Sequence, residues 1–517
     1  MGTDVIRRNC LADTLWRTAR RVPDKRAIVC GDVDWSYAQL NAIVTRAASA
    51  LAAGGVRPGD RVAVLSRNSH SFAVLRFAVA RLGAVLVPIN FMLLAEEVAH
   101  LLRHCGATRL CVDSEFARLG TEAAHAGTGV ERIIWLPGEH GSLQPDGTLC
   151  FETMWSSGEG MLDTEVSSQS VAQIMYTSGT ESQPKGVMLT HEAVLTQFLS
   201  CIVDLEIAAN DRVLHCLPMY HCAQLDVFFG PCVLLGAFNV ITRAPEPERV
   251  LRLIEQHSIN SFFAPPTVWI SLLRSPMFDQ VDLSSLQKGY YGASIMPVEI
   301  LREIQRRLPD LRLWNAYGQT EIAPLAAVLK PEDQLRKPGS VGKPVIHVVT
   351  RVVREDMTDV EVGEVGEIVH RSPQLFLGYL DDPAKTAAAF AGGWFHSGDL
   401  AVIDDEGYIT VVDRKKDMIK TGGENVASRE VEEAIYNLQG VSEVAVVGLP
   451  DPRWVEAVSA FIVLKRGFQL NEADVLEHCG RCLGAYKRPK HVFFTDALPK
   501  NASGKVMKRE LRTKYSQ

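Results

Sequence analysis

No stretch of this 517-residue chain approaches the roughly 20 consecutive apolar residues a helix needs to cross a bilayer. The G-x-x-x-x-G-K-[ST] order is also absent, so an ordinary P-loop nucleotide site is excluded. Cys479-Gly480-Arg481-Cys482 is a lone C-x-x-C in a helical pattern, with no second pair to complete a zinc site. The eleven cysteines are scattered and odd in number, and no secretory segment precedes them; reduced thiols and a cytoplasmic location are expected. There is no excess of basic charge either, and a net charge of −7 argues against general nucleic-acid binding. Lipidation signals are missing: Ile6 stands where a myristoylation motif after Gly2 wants Ser or Thr, and Lys514-Tyr515-Ser516-Gln517 is neither a prenylation nor a peroxisomal signal. The local basic bias of Arg7, Arg8, Arg17, Arg20, Arg21, Lys25 and Arg26 reads as a solvated helix face, with peripheral contact to an anionic lipid surface as the alternative.

What is there is ordinary in bulk and specific in detail. Apolar residues make up 47% and charged residues 22%, as in a globular enzyme, and the length calls for more than one core. Ser36 with Gln39 forms a capping box, and Leu40, Ile43, Val44, Ala47 and Leu51 recur at helical spacing until Gly54-Gly55. Short β-branched runs at Arg61-Val62-Ala63-Val64-Leu65 and Ala84-Val85-Leu86-Val87-Pro88 alternate with such helices, which predicts parallel sheets covered by helices. The alternation returns from about Ser168 to Ala327 and gives way to Val/Ile-rich strands with glycine turns from Gly339 to Val412. The predicted fold is therefore α/β. A large N-terminal domain of two βα-layered subdomains plus a small β-barrel-like subdomain is followed by a small, mobile α+β C-terminal domain. The boundaries are placed at 1–413, a charged hinge at 414–417, and 418–517.

The strongest chemical signal is Tyr176 to Gly186, Y-T-S-G-T-E-S-Q-P-K-G, after the apolar run Val171-Ala172-Gln173-Ile174-Met175. Thr177, Ser178, Gly179 and Thr180 bring hydroxyls and backbone N–H groups together, which suits oxyanions, and Lys185 adds a positive charge. A polar linker has the same composition. Five further segments follow in order: P-M-Y-H-C at Pro218 to Cys222, N-A-Y-G-Q-T-E at Asn315 to Glu321, H-S-G-D-L at His396 to Leu400, D-R-K-K-D at Asp413 to Asp417, and N-A-S-G-K at Asn501 to Lys505.

Together these segments resemble the adenylate-forming superfamily, over nearly the whole chain from about Leu11 to Lys508, and most closely its fatty acyl-CoA synthetases. The resemblance implies two half-reactions: a carboxylate attacks the α-phosphate of ATP, with Mg²⁺, to give an acyl-adenylate and pyrophosphate, and a thiol of CoA then displaces AMP. It assigns Thr177, Ser178, Gly179, Thr180 and Lys185 to the phosphates, and Tyr317, Gly318, Gln319, Thr320, Asp399 and Arg414 to the nucleotide. Glu321 with Thr177 would hold the metal, and Lys505 would be the adenylation lysine. His221 would gate an acyl site lined by Tyr291, Gly292, Ala293 and Ser294. Lys416 would be the hinge about which the small domain turns, and Lys420 with Gly422-Gly423 would serve the second half-reaction, where glycines admit a pantetheine arm. The bland readings are a helix cap for Glu321, a surface ion pair for Asp399 and Arg414, an ordinary turn for Gly422-Gly423 and a core histidine for His221.

One departure from the pattern is Glu181-Ser182, an acidic residue where the family has Thr-Gly. Phe228, Phe229, Leu234, Leu235, Phe262 and Phe263 predict an apolar acid, fatty or otherwise hydrophobic, while Asp226 keeps a cationic acid such as carnitine as a minority reading and an aryl acid stays open. A carrier protein is the alternative thiol acceptor, a nucleotide-binding regulator is the non-enzymatic reading, and a monomer or homodimer is expected.

Overall fold

The computed structural model describes residues 8–139, 143–158, 164–177, 184–415, 417–422, 424–501 and 504–515. Local signals set the first elements. Ser36 accepts from the Gln39 amide while Gln39 accepts from the Ser36 amide at 2.8 Å, and this box starts helix Tyr37–Ala53, whose Leu40, Ile43, Val44, Ala47 and Leu51 are buried. Strands Arg61–Leu65 and Val85–Pro88 form as the β-branched runs predict, and they pair in parallel.

Among the described residues the strands fall into two large mixed sheets, one of eight strands and one of nine. In the eight-stranded sheet, Val171–Thr177 lies beside Val85–Pro88 and pairs antiparallel with Lys185–Thr190, so the hydroxyl-rich segment joins two adjacent strands. In the nine-stranded sheet, Lys288–Gly292 and Arg312–Gly318 run parallel, side by side, followed by antiparallel Leu325–Leu329. Strand Arg26–Cys30 crosses from the start of the chain to pair in parallel with Phe238–Ile241 in this second sheet. Every residue of helix His70–Leu82 is buried, and its apolar side chains pack in one cluster with Val62 and Leu86 of the first sheet and Ile28 and Ile241 of the second. A helix wetted on no side is buried between layers, and this one holds the two sheets together.

The region expected to resemble a barrel is an open sheet. Val349–Val353, Gly366–Arg371, Phe395–Ile403 and Ile409–Arg414 form an antiparallel ladder in that order, and among the described residues its two outer strands do not pair. Barrel diameter grows with strand number, and four strands are too few to close around a core. One face instead packs Val352, Ile368, Ala401 and Ile409 against Ala327 and Val341, which covers the apolar side without closure. This packing brings Asp399 to the end of the nine-stranded sheet.

From Ile419 onward the chain forms a separate body. Strands Ile419–Thr421, Glu424–Val426, Val441–Asp451, Val455–Leu464 and His491–Phe494 build one sheet with its own core, including Val431, Ile435, Val446, Ile462 and Val475. Cys479 and Cys482 sit on its helix Glu472–Cys482, as the helical pattern predicts.

Candidate active site

Strand ends build the site. Arg312–Gly318 carries Asn315, Ala316 and Tyr317 to the carboxyl edge of its sheet, where open α/β sheets receive ligands. Gly318 is required there: a Cβ would stand 1.7 Å from the carbonyl oxygen of Pro324. A short 3-10 turn, Thr320–Ile322, then holds Glu321, whose backbone carbonyl accepts from the Phe376 amide at 2.8 Å.

The Glu321 carboxylate is met by Tyr379, with Lys185 beside the same ring. Its Oε1 accepts from the Tyr379 hydroxyl at 3.1 Å, and the Lys185 ammonium lies 5.1 Å from the centre of the Tyr379 ring. Lys185 stands opposite Thr177 across the ladder, so the two ends of the hydroxyl-rich segment leave from one end of this strand pair. Burial pushes the Glu321 carboxyl up, against the pull of Lys185 and Arg414. A withdrawn carboxylate beside a threonine hydroxyl is hard oxygen chemistry of the kind Mg²⁺ takes. Nε2 of Gln319 is a buried donor without a protein partner among the described residues, which suits a bound oxygen-rich ligand.

Tyr317 donates to Asp399 Oδ2 at 2.7 Å, and Arg414 reaches Asp399 Oδ1 at 3.2 Å from the neighbouring strand. Burial, and then the Asp399 charge, push the Tyr317 phenol well above its ordinary range, so it stays a donor. The Asp399–Arg414 ion pair exists, but Asp399 is buried and not on the surface, and Tyr317 ties the pair to the end of strand Arg312–Gly318.

His221 lies just before an unusual turn. Residues Ala223–Phe229 form a π-helix, a geometry often found at functional sites. His221 Nδ1 accepts from the Ala223 amide at 3.2 Å, which places the ring proton on Nε2. Removal from water, reinforced by the Lys505 charge, lowers its pKa to about 4, so the ring is neutral at ordinary pH. Cys222 Sγ lies 3.5 Å from the Thr320 hydroxyl and links the His221 segment to the Glu321 turn.

Lys505 comes from the C-terminal body. Its amide donates to Asn501 Oδ1 at 2.8 Å, and the carbonyl of the preceding Gly504 accepts from the Thr267 hydroxyl at 3.4 Å. Lys420 and Gly422 are not brought here: the amide of Lys420 donates to Glu456 at 2.7 Å and that of Gly422 to the Trp454 carbonyl at 2.8 Å, both within the C-terminal body.

Of the acyl residues, Gly292 ends its strand where a Cβ would meet the Ala316 carbonyl oxygen at 2.5 Å, and Ala293 follows in a left-handed conformation, φ 65°. Ala293 and Ser294 are exposed. The Tyr291 side chain is buried and its hydroxyl is committed to Gln334 at 2.7 Å. Asp226 is no open anionic pocket. It is fully buried, with Oδ1 on Arg76 at 2.5 Å and Oδ2 on Gln173 at 2.7 Å, while Gln173 also accepts from Arg76 at 2.8 Å. The cationic-acid reading thereby loses the side chain that suggested it. Ser178, Gly179, Thr180, Glu181, Ser182, Lys416 and Gly423 lie outside the described residues. Tyr379 was missed, since Gly378-Tyr379 sits in no motif and meets Glu321 only because Gly378–Tyr379 pairs with strand Lys185–Thr190.

A family model described as AMP-binding enzyme matches residues 15–380, and one described as AMP-binding enzyme C-terminal domain matches residues 430–505. The chain is 36% identical over 499 residues to a feruloyl-CoA synthase of Amycolatopsis sp, covering 96% of this chain and 98% of that one. It is 36% identical over 504 residues to an indoleacetate–CoA ligase of Aromatoleum aromaticum, with 97% of each covered. Among solved structures it resembles a Mycobacterium tuberculosis fatty acyl CoA synthetase at TM-score 0.77 and 34% identity, with 98% of each chain covered.

Proposed function

The chain belongs to the AMP-binding enzyme family and is an AMP-forming acid–thiol ligase, and on that premise we propose that its acid is fatty or otherwise hydrophobic and its acceptor is CoA. The observation that carries the reading is the buried Glu321 carboxylate, held by the Tyr379 hydroxyl with Lys185 over the same ring, next to the Tyr317, Asp399 and Arg414 group.

In the first half-reaction an oxygen of the acid's carboxylate bonds to the α-phosphorus of ATP while the bond to the bridging oxygen breaks, releasing pyrophosphate. Negative charge gathers on the transferring group, so the barrier falls where fixed cations and donors already surround it. Lys505 supplies a cation at the acid and α-phosphate, and Lys185 with Thr177 serves the leaving pyrophosphate. Mg²⁺, held by Glu321 and Thr177, would neutralise phosphate charge. Tyr317, Asp399 and Arg414 hold the nucleoside, with Asp399 as acceptor for ribose hydroxyls. In the second half-reaction the CoA sulfur, having lost its proton, bonds to the acyl carbon and AMP leaves with the bonding pair. Lys420 and Gly422 serve that step once the C-terminal body has turned at the 414–417 hinge, with Lys416 as the hinge residue.

The hydrophobic preference rests on neutrality: His221 is uncharged, and Asp226 is consumed by Arg76 and Gln173. The named relatives act on aryl acids as well as fatty ones, so the test is AMP release over fatty acids of graded length, benzoate- and cinnamate-type acids and carnitine, each with and without CoA. AMP release that needs one apolar acid and CoA supports the reading. Preference for carnitine overturns the substrate class, and an adenylate that CoA fails to discharge moves the acceptor to a carrier protein.

A further inference from the structure

One side chain crosses the junction between the C-terminal body and the four-stranded sheet. Arg429 is the second residue of helix Ser428–Tyr436, and its guanidinium donates from Nη1 to the carbonyl of Val411 and from Nη2 to the carbonyl of Gly339 at 2.9 Å. Val411 belongs to strand Ile409–Arg414, and Gly339 lies in the chain that reaches the Gly342 bridge to Ile409. The planar fork of arginine fits two divergent carbonyls, whereas a lysine ammonium is a point charge. Among the described residues Arg429 makes no direct ion pair; the carboxylates whose charge acts on it are Glu433 and Glu432 of its own helix and Asp413 across the junction.

Neighbouring contacts seat the same body. Asp413 Oδ2 accepts from both the amide and the hydroxyl of Ser428, at 2.7 and 2.8 Å. At the far end Gly504 rests on Thr267, so closely that a Cβ would stand 2.6 Å from the threonine hydroxyl oxygen. The seating at Gly504 delivers Lys505 towards His221, while Lys420 and Gly422 remain with partners of their own body.

We propose that Arg429 is a positioning residue for adenylate formation: a releasable latch that holds the C-terminal body where Lys505 reaches the acid, and that must open before thioester formation. The inference rests on the ligase reading for its functional consequence, and on the Arg429 contacts alone for its structural one.

The test compares the wild-type chain with Arg429→Ala and Arg429→Lys. The first readout is acid-dependent ATP–pyrophosphate exchange, using dodecanoate or cinnamate, whichever releases more AMP. The second is CoA thioester formation from the corresponding synthetic acyl-adenylate, and the third is hydrogen exchange over residues 411–430. Loss of two charge-assisted hydrogen bonds should lower pyrophosphate exchange by about tenfold or more in Arg429→Ala. Thioester formation should stay within about twofold, because that half needs the latch open. Arg429→Lys should fall between the two, and hydrogen exchange should quicken locally in Arg429→Ala. Equal loss in both half-reactions, or unchanged hydrogen exchange, overturns the latch. If the wild-type chain turns over neither acid while Arg429→Ala still quickens exchange at 411–430, the structural contact stands and the apolar-acid reading falls.

Discussion

The Tyr317 hydroxyl donates to Asp399 at 2.7 Å, joining the end of a parallel strand in one sheet to a strand of another. In the proposed nucleoside site the aromatic surface would come from one sheet and the ribose acceptor from its neighbour. Asp399→Asn keeps the shape and removes the charge that faces Arg414. KM for ATP should rise by about ten- to a hundredfold, the value of a charge-assisted hydrogen bond, with a smaller change in kcat. Steady-state kinetics in ATP checks this. An unchanged KM would return the pair to a purely structural role.

Lys505→Ala should separate the half-reactions in the simplest way. Pyrophosphate exchange should fall by about a hundredfold or more, as when a fixed charge at a developing anion is removed. Thioester formation from supplied adenylate should survive. Lys420→Ala should show the reverse pattern if Lys420 serves the second step, as proposed; its amide is bound within the C-terminal body, to Glu456. Equal loss in both assays for both variants would refute the assignment of one lysine to each step.

The Arg76, Asp226 and Gln173 triangle concerns stability more than chemistry. Arg76→Met leaves the Asp226 carboxylate buried with only Gln173, and breaking one side of such a pair costs about 3–5 kcal/mol. Denaturant titration measures it. The double variant Arg76→Met with Asp226→Leu should recover part of the loss, since no charge is then left unpaired.

Acid should weaken the fold through its histidines. His191, His215, His221 and His370 are each lowered to about 4, with burial as the first cause. Between that value and the unfolded value near 6.5 the unfolded chain binds more protons, so stability rises with pH across this window and is lost as pH falls through it. Each histidine contributes at most about 1.4 kcal/mol per pH unit there. The burial of Glu321 has the opposite sign, since a raised carboxyl favours the folded state on acidification. Melting temperature should therefore drop from pH 7 to pH 5 by several degrees for the set, and less in His370→Gln, which removes one contributor.

The sequence by itself determined the elements that depend on neighbours along the chain. The Ser36–Gln39 box, the helical spacing through Leu51 and the apolar run before the hydroxyl-rich segment each specify local geometry through backbone hydrogen bonds and side-chain period. The same holds for the ordered motifs, whose resemblance to a known superfamily was legible before any contact was known. Only the tertiary structure decided what met across long separations. Asp226 looked like an accessible anion until Arg76, 150 residues earlier, was found against it. Tyr379 carried no motif, yet lies on Glu321 because its short strand pairs with Lys185–Thr190. The Gly339 to Val412 region read as a barrel because alternation shows strands and turns but not closure, which depends on strand number and on the surface that covers the open face. Arg429 was one basic residue in a helix start, and its partners are two backbone carbonyls, atoms that every residue carries and that no sequence pattern can mark.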